Sequence, residues 1–215
     1  RLAKCDSAAS PAPIEAHVIV AGASAQILER DGVALLVGPR ATTARKTHRA
    51  TPAVAYRFAP GELRALIDVP LGALVDDVVP FADVHRRRRA GAAEVAPSVR
   101  LVRGAVAFAA RDPACNVRSL AAALGVVERT LQRAFVDAIG LAPKLFLRTE
   151  RLRRALALAS IGSSIAASAT RASWADVAAA AGYCDQAHLI DEVRALTGET
   201  PRALVAELAS TSHRL

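Results

Sequence analysis

A short segment past the middle of the chain contains side chains that can form paired hydrogen bonds. They are Glu128, Arg129, Gln132 and Arg133. Residues three and four apart share a helix face, so Arg129, Gln132 and Arg133 would lie opposite the apolar Leu131 and Phe135. Arg and Gln can form bidentate hydrogen bonds to guanine and adenine edges in the major groove of DNA. The segment therefore predicts base contacts.

The elements around this segment are predicted to be two helices joined by a turn. A short helix begins near Arg118, Gly125 provides the turn, and a second helix runs toward Gly140 and Pro143. This pattern is typical of a helix-turn-helix unit. An ordinary amphipathic helix with a solvated charged face is the alternative for this segment taken alone.

A second copy of the pattern follows in residues 174–201. Four pairs of residues are each 58 positions apart: Leu131 and Leu189, Phe135 and Val193, Gly140 and Gly198, Pro143 and Pro201. The turn glycines Gly125 and Gly182 are 57 apart, which gives the second copy one extra residue in its turn. The repeat predicts two helix-turn-helix units, with a long helix over 144–160 between them and a closing helix over 201–210.

The positive charge of the chain is concentrated around the first helix-turn-helix copy. The formal net charge is +8 and the pI about 10.4. Residues 98–154 contain 11 Lys+Arg and 4 Asp+Glu, a net charge of +7, whereas residues 155–215 contain 4 and 6, a net charge of −2. A basic balance favours an anionic partner such as nucleic acid. Any anion-binding face is therefore expected within 98–154.

The remaining composition narrows the class of protein. Apolar residues make up 53% of the chain and aromatic residues 4%, which is typical of an alanine- and leucine-rich helical protein. The three cysteines are far apart, and the histidines lack ligand spacing, so neither a disulfide framework nor a metal site is predicted. No membrane span or signal peptide is recognised, and a cytoplasmic protein is expected. The chain contains no Met, so its natural start is expected upstream of Arg1.

The first part of the chain predicts a small mixed sheet and helix domain over residues 1–84. Strands are expected over 14–20, 25–29, 33–37 and 54–58, the last with one buried face. A basic loop is expected over 38–51, short helices over 62–67 and 71–77, and a packed turn over 79–84. Residues 85–97 include four consecutive arginines and predict a solvated linker that also touches DNA phosphates.

The second part, residues 98–215, is predicted to be an all-α domain, so the fold class is α+β. A helix over 98–110 should begin at Ser98 as its N-cap. A Ser- and Ala-rich loop is expected over 162–173, between the long helix and the second unit.

The C-terminal half resembles the DNA-binding domain of AraC/XylS-type transcriptional regulators. The residues that support this resemblance are Arg129 to Arg133, Phe135, Gly140, Pro143, Arg151, Ala155, Ala178 to Gly182, Asp185 to Leu189, Gly198 and Pro201. The match covers nearly half of the chain. Residues 33–84, notably 56–61 and 78–81, resemble a small domain often placed ahead of such DNA-binding domains. The resemblance does not imply a role for it, and a sensing or oligomerisation role is our hypothesis for residues 1–84.

The resemblance implies a sequence-specific, double-stranded DNA-binding transcription regulator. Its two recognition helices would enter successive major-groove segments about 34 Å apart. The implied DNA-binding residues are Glu128, Arg129, Gln132 and Arg133 in the first unit and Gln186, Ala187, His188 and Asp191 in the second. The implied phosphate contacts are Thr130, Lys144 and Arg148. Glu128 either accepts from cytosine or is a solvated rim charge, and His188 either contacts a base or is a surface histidine without a partner.

No catalytic residue, metal or cofactor is predicted, and the chain is not expected to be an enzyme. Besides DNA, the candidate partners are a small-molecule effector, RNA polymerase and a second copy of the chain.

Three residues or pairs depart from the family pattern. Val127 replaces the usual Ser or Thr cap, Val193 replaces the usual Phe, and Asp191 with Glu192 would oppose phosphate.

Two other functions compete with this interpretation. A DNA-acting alkyl-transfer enzyme would need a Cys that is next to a His or inside a metal cluster. Cys5 is expected in a loose tail, Cys115 precedes Asn116, and Cys184 is expected in a turn, so this function is disfavoured. A ligand- or protein-interaction module with degenerate helix-turn-helix units is favoured only by Asp191 and Glu192.

Overall fold

The computed structural model describes residues 14–49, 53–85, 95–164 and 173–212. Its N-terminal region contains six strands in two antiparallel sheets. Strand β1 (Ile14–Ile19) pairs with β4 (Ala44–Arg49), and the other four strands form a sheet in the order β5-β2-β3-β6. The bounds of those four are Gln26–Arg30 for β2, Val33–Val37 for β3, Val54–Arg57 for β5 and Val78–Pro80 for β6.

The turn between β2 and β3 is formed by Asp31 and Gly32. Asp31 and Gly32 both have positive φ, 51° and 75°, and they connect two antiparallel strands in register from Gln26–Val37 to Arg30–Val33. Two consecutive residues with positive φ give the twist that a tight hairpin needs. Asp and Gly are suited to this turn because both tolerate the left-handed region.

Three local predictions for the N-terminal region are wrong, and the bounds of its two predicted helices need correction. The expected loop contains strand β4, which forms because it pairs with β1 far away in sequence. Strand β5 has no buried face, since all four of its residues are exposed at the edge of the sheet. The two predicted helices are short 3₁₀ helices, Leu63–Ala65 and Leu71–Leu74. The predicted packed turn is β6 followed by helix α1 (Phe81–Val84).

An apolar cluster explains why these short segments hold together. It is formed by Ala25, Leu36, Leu63, Ile67, Leu71, Leu74 and Val84. Three of these seven residues, Leu63, Leu71 and Leu74, come from the 3₁₀ helices. Helical propensity cannot stabilise such short segments alone, so burial of these side chains fixes them.

The rest of the described chain is helical, as predicted. Seven helices follow in order. They are α2 (Pro97–Arg111), α3 (Val117–Ala123), α4 (Glu128–Ala138), α5 (Pro143–Ser164), α6 (Trp174–Ala181), α7 (Gln186–Thr197) and α8 (Pro201–Ser212). Among the described helices, none is long and apolar enough to cross a lipid bilayer.

Two apolar clusters organise these helices into the two predicted units. The first includes Val102, Leu120, Leu131 and Phe135 from α2, α3 and α4. The second includes Val177, Leu189 and Val193 from α6 and α7 together with Leu204 of α8. Helix α5 belongs to both. Phe146 and Leu147 pack in the first cluster, and Leu152 and Leu156 pack in the second.

The predicted start of α2 and the predicted end of α5 need correction. Helix α2 begins at Pro97, whose missing N–H costs nothing at the first helical position, and its N-cap is Ala96. Ser98 is therefore no cap, and its hydroxyl donates to Asp137 of α4 at 2.7 Å. Helix α5 continues through Ser164, so residues 162–164 are helical and not part of a loop.

The N-terminal region packs directly on the helical region. Arg64 lies 3.4 Å from the Asp137 carboxylate of α4, and Arg45 of β4 donates two hydrogen bonds to Glu207 of α8. Ala23 is buried in the first helical cluster. The predicted linker arginines lie outside the described residues, and the domain boundaries at 84 and 98 stay a prediction.

Helices α4 and α7 each end at a glycine, but only the glycine after α4 is required for more than its backbone conformation. Gly140 and Gly198 both have left-handed φ, 84° and 77°, at the ends of α4 and α7. A Cβ on Gly140 would lie 2.6 Å from the carbonyl oxygen of Leu71, whereas a Cβ on Gly198 would meet nothing within 4 Å. Gly140 therefore allows the N-terminal region to contact the end of α4.

We expect Gly140→Ala to destabilise the protein more than Gly198→Ala. The left-handed conformation costs a non-glycine residue about 1–2 kcal/mol at either site. Only Gly140→Ala adds a backbone clash, which contributes a further ~1–3 kcal/mol. Urea unfolding of both variants measures the difference. Equal losses would show that Leu71 moves away without cost.

Candidate nucleic-acid interface

Helix α4 separates its polar and apolar side chains as the sequence predicts. Leu131 and Phe135 are fully buried, and Phe135 stacks edge-on against Phe146 of α5 with ring centroids 5.2 Å apart. The side chains predicted to contact DNA from this helix are all exposed: Glu128, Arg129, Thr130, Gln132 and Arg133. The buried Phe and Leu fix the rotation of α4, so its polar face points away from the core.

The turn before α4 is formed by Gly125, which has a φ of 67°. Helix α3 begins with a capping box, in which the Asn116 side chain accepts from the backbone N–H of Ser119 and the Ser119 hydroxyl accepts from that of Asn116. Helix α4 begins at Glu128, and its N-cap residue, Val127, forms no side-chain hydrogen bond to the helix. The expected absence of a cap at Val127 is therefore confirmed.

Glu128 has a basic neighbour on α3. Its carboxylate lies 3.9 Å from Nε of Arg118, and the two side chains are 57% and 91% exposed. A pair this exposed and this long contributes little to stability. The main effect of this pair is electrostatic, because the positive charge of Arg118 offsets the negative charge of Glu128 at the start of α4.

The second unit has better caps than the first. Ser173 and Asp176 form a capping box at α6, and the Ser173 hydroxyl and backbone N–H hydrogen bonds lower the pKa of the Asp176 carboxyl. Asp185 caps α7 by accepting from the backbone N–H of His188 at 2.7 Å. Gln186, Ala187 and Asp191 are exposed on α7, as the predicted DNA contacts require.

His188 has partners, so its description as a surface histidine without a partner is wrong. Its ring meets the Tyr183 ring edge-on, with centroids 5.4 Å apart. Its Nδ1 accepts from the backbone N–H of Cys184 at 3.4 Å. In the neutral imidazole this leaves the proton on Nε2, which can then act as a donor.

Arg148 and Glu192 form an ion pair between α5 and α7. Nε of Arg148 donates to the Glu192 carboxylate at 2.8 Å, and the two side chains are 27% and 19% exposed. The expectation that Glu192 opposes phosphate needs correction, because a neighbouring guanidinium neutralises its charge. Contact between Arg148 and phosphate stays a prediction, and the structure gives this side chain a second role in holding α7.

Arg151 and Tyr183 form a second link between α5 and the second unit. The Arg151 guanidinium lies 5.7 Å from the centre of the Tyr183 ring, a cation–π distance. Burial raises the pKa of the Tyr183 hydroxyl to about 12, while the positive charge of Arg151 acts in the opposite direction. Tyr183 therefore stays neutral and serves as a packing surface for Arg151 and His188.

Thr130 and Lys144 are both exposed, and Lys144 follows Pro143 at the first turn of α5. Among the described residues, no group of three His, Cys, Asp or Glu side chains could hold a metal ion. The exposed side chains that were predicted to contact DNA thus lie on α4, at the start of α5 and on α7.

Comparison with known protein families assigns this region. Residues 120–207 match the family model described as a helix-turn-helix domain. These residues form an AraC-type helix-turn-helix domain. Such a domain is the DNA-binding part of a transcription regulator. Comparison with curated proteins returns no match.

Several solved structures are similar to the chain. A transcriptional regulator from Chromobacterium violaceum, of the AraC-type DNA-binding domain-containing proteins, is 25% identical over 52% of this chain and 95% of that chain, with a TM-score of 0.42. The DNA-binding domain of AdpA, a global transcriptional factor solved with a target DNA, is 28% identical over 53% and 95%, with a TM-score of 0.42. ToxT from Vibrio cholerae is 7% identical over 93% and 99%, with a TM-score of 0.48.

Two positions on α7 of the AraC-type domain, Arg194 and Ile190, were not among the predicted DNA contacts. Arg194 is exposed and lies three residues after Asp191, on the same face, and Ile190 is half-buried next to it. The 58-residue register pairs Ile190 with Gln132, so the repeat itself contained the signal for this position. Arg194 aligns with Val136, an apolar residue, and that mismatch concealed it.

We expect Val127→Ser to stabilise the AraC-type domain. Val127 has φ −79° and ψ 152°, the extended conformation of an N-cap, and it is 67% exposed, so a Ser hydroxyl can reach the free N–H groups of α4. A Ser cap is worth about 1 kcal/mol relative to an uncapped residue. Chemical unfolding measures the gain. Val127→Ala is the control, and an equal effect of both variants would contradict the capping argument.

We expect the Arg148–Glu192 pair to show energetic coupling in a double-mutant cycle. Both side chains are largely buried and joined by a charge-assisted hydrogen bond, a contact worth about 1.5–3 kcal/mol. Alanine substitutions, single and combined, are compared by chemical unfolding. The exposed Arg118–Glu128 pair is the control, for which the coupling should not exceed about 1 kcal/mol. Equal coupling in the two pairs would contradict a structural role for Arg148.

Proposed function

We propose that the chain is a sequence-specific regulator of transcription that binds double-stranded DNA through α4 and α7. The observation that supports this best is the exposed polar face of α4, held outward by the buried Leu131 and Phe135, within an AraC-type domain. The two recognition helices would enter successive major-groove segments about 34 Å apart on one side of the duplex.

The first unit makes the dominant base contacts in this proposal. Arg129 and Arg133 offer bidentate donors to guanine, and Gln132 can pair with adenine. Glu128, beside Arg118, can accept from the amino group of cytosine. No acidic residue except Glu128 lies among the exposed side chains predicted to contact DNA from this helix.

The second unit adds weaker base contacts. Gln186 and the Nε2 of His188 provide hydrogen-bonding groups, and Ala187 provides a small apolar contact. Asp191 can accept only from a base amino group and repels phosphate. Specificity would therefore be divided unequally between the two half-elements of the site.

Phosphate contacts fix the position of the domain without specifying sequence. Lys144 and Thr130 are the exposed candidates near the first recognition helix. Arg148 is a further candidate, although part of its hydrogen-bonding capacity is taken by Glu192.

The N-terminal region is proposed as the sensing or oligomerisation part. Its contacts reach both units, because Arg64 meets Asp137 of α4 while Arg45 meets Glu207 of α8 and Glu199 just before it. A small-molecule effector, RNA polymerase and a second copy of the chain are its candidate partners. The cytoplasm is the proposed location, in keeping with a DNA-binding function.

The alkyl-transfer alternative loses support from the described cysteines. Cys115 is buried, and burial raises the pKa of its thiol, the opposite of what a nucleophile needs. Cys184 is exposed at the turn before α7, and Cys5 lies outside the described residues. The interaction-module alternative also weakens, because Glu192 forms an ion pair within the domain.

Selection of bound sequences from a random duplex pool tests the proposal directly. Two half-elements about one helical turn apart are expected, with the stronger one assigned to α4. Equal affinity for the selected sequence and for random duplex over a salt series would reject sequence-specific binding.

We expect Arg133→Ala and Lys144→Ala to weaken DNA binding in different ways. Loss of a bidentate base contact costs ~1–3 kcal/mol on the selected site and relaxes the base preference there. Loss of a phosphate contact weakens all sequences alike and reduces the salt slope by about 0.9. Fluorescence anisotropy with the selected and the random duplex measures both, and each variant is the control for the other. A uniform loss for Arg133→Ala would remove it from the base contacts.

A further inference from the structure

A cleft lies between the second half of α2 and the middle of α5. Its volume is about 390 Å³, within the range of small-molecule sites. The lining residues are Val106, Ala109, Ala110, Pro113, Phe146, Leu147, Glu150, Arg151, Arg153 and Arg154. The DNA contacts proposed above use none of them.

The floor of the cleft is apolar and firmly held. Phe146 and Leu147 are buried parts of the first helical cluster, and Phe146 is fixed by its edge-on contact with Phe135. Val106 and Ala109 of α2 form the opposite wall. When a ligand with an apolar body binds here, its apolar surface therefore leaves water and contacts a preformed apolar wall.

Three arginines and one glutamate are among the residues that line this cleft. Arg153 is paired with Glu150 at 3.2 Å, and Arg154 donates to the carbonyl oxygen of Ala110, also at 3.2 Å. Nε of Arg151 is buried and has no hydrogen-bond partner among the described residues. The charged lining therefore has a surplus of two positive charges, and a buried donor is left unsatisfied.

We propose that this cleft binds a small organic carboxylate with an apolar body. A carboxylate matches the planar donor geometry of guanidinium groups, and an apolar body matches the Val, Ala, Phe and Leu walls. Inorganic phosphate would satisfy the arginines and leave those walls unused. An uncharged alcohol of the same shape would leave the positive surplus uncompensated.

The position of the cleft gives such a ligand a route to both helix-turn-helix units. Helix α2 belongs to the first unit, and Pro113 at the edge of the cleft packs against Gly182 of the second, where an added Cβ would lie 2.5 Å from Pro113. A bound carboxylate would therefore join α2 to α5 beside the contact between the units. Binding itself does not depend on DNA, so it is tested without DNA.

The test is titration of the full chain with 3-phenylpropionate, octanoate and cyclohexanecarboxylate, followed by calorimetry or ligand-observed NMR. At least one should bind saturably at one site per chain. The matched alcohol of that compound should bind at least tenfold more weakly, and inorganic phosphate should not displace the carboxylate. Absence of saturable binding by all three, equal binding of the alcohol, or displacement by phosphate would overturn the proposal.

Two variants locate the site. Arg154→Gln removes a guanidinium from the rim, and Ala110→Trp fills the cleft from an exposed position. Each should weaken carboxylate binding at least tenfold. Arg202→Gln on α8 removes a guanidinium outside the cleft and is the matched control, for which binding should be unchanged. Circular dichroism confirms folding of each variant. Unchanged binding in both folded cleft variants, or an equal loss in the control, would place the ligand elsewhere.

Discussion

Helix α5 is shared between the two apolar clusters of the helical region, and the geometry of the proposed DNA-binding face depends on this sharing. Phe146 and Leu147 at its start are buried with the first unit, and Leu152 and Leu156 two turns later are buried with the second. A helix of 22 residues is stiff on this scale. The angle between α4 and α7 therefore depends on which faces of α5 are apolar.

Polar contacts along the same helix complete this constraint. Arg148 binds Glu192 and Arg151 packs on the Tyr183 ring, so two arginines one turn apart hold the second unit against α5. Apolar burial is non-directional. An ion pair and a cation–π contact, in contrast, fix both the rotation of the second unit and its position along α5. Some of the basic side chains of residues 98–154 are consequently structural. Fewer cations are therefore available to contact DNA than the net charge of this segment indicates.

The sequence predicted the helical half well and the N-terminal half only in outline. The amphipathic periods of α4 and α7 and the repeated glycines are local signals, and the helices they indicated are all present. Strand β4 was missed because its basic, Thr-containing sequence becomes a strand only through pairing with β1. The exposure of β5 depends on its place at the sheet edge. Ser98 and Glu192 were misjudged for a similar reason, since their partners Asp137 and Arg148 are 39 and 44 residues away.

The two recognition helices differ less in charge than their sequences indicate. Asp191 and Glu192 together make α7 look acidic, but Glu192 is neutralised by Arg148 and turned toward α5. The exposed face of α7 then has Asp191 and Arg194 as its charged groups, one of each sign, and these nearly cancel at the surface of DNA. Such a face neither attracts nor repels the duplex strongly. In the proposed complex with DNA, long-range attraction would therefore come from the first unit and the start of α5, and α7 would contribute the hydrogen bonds that form once the domain is in place.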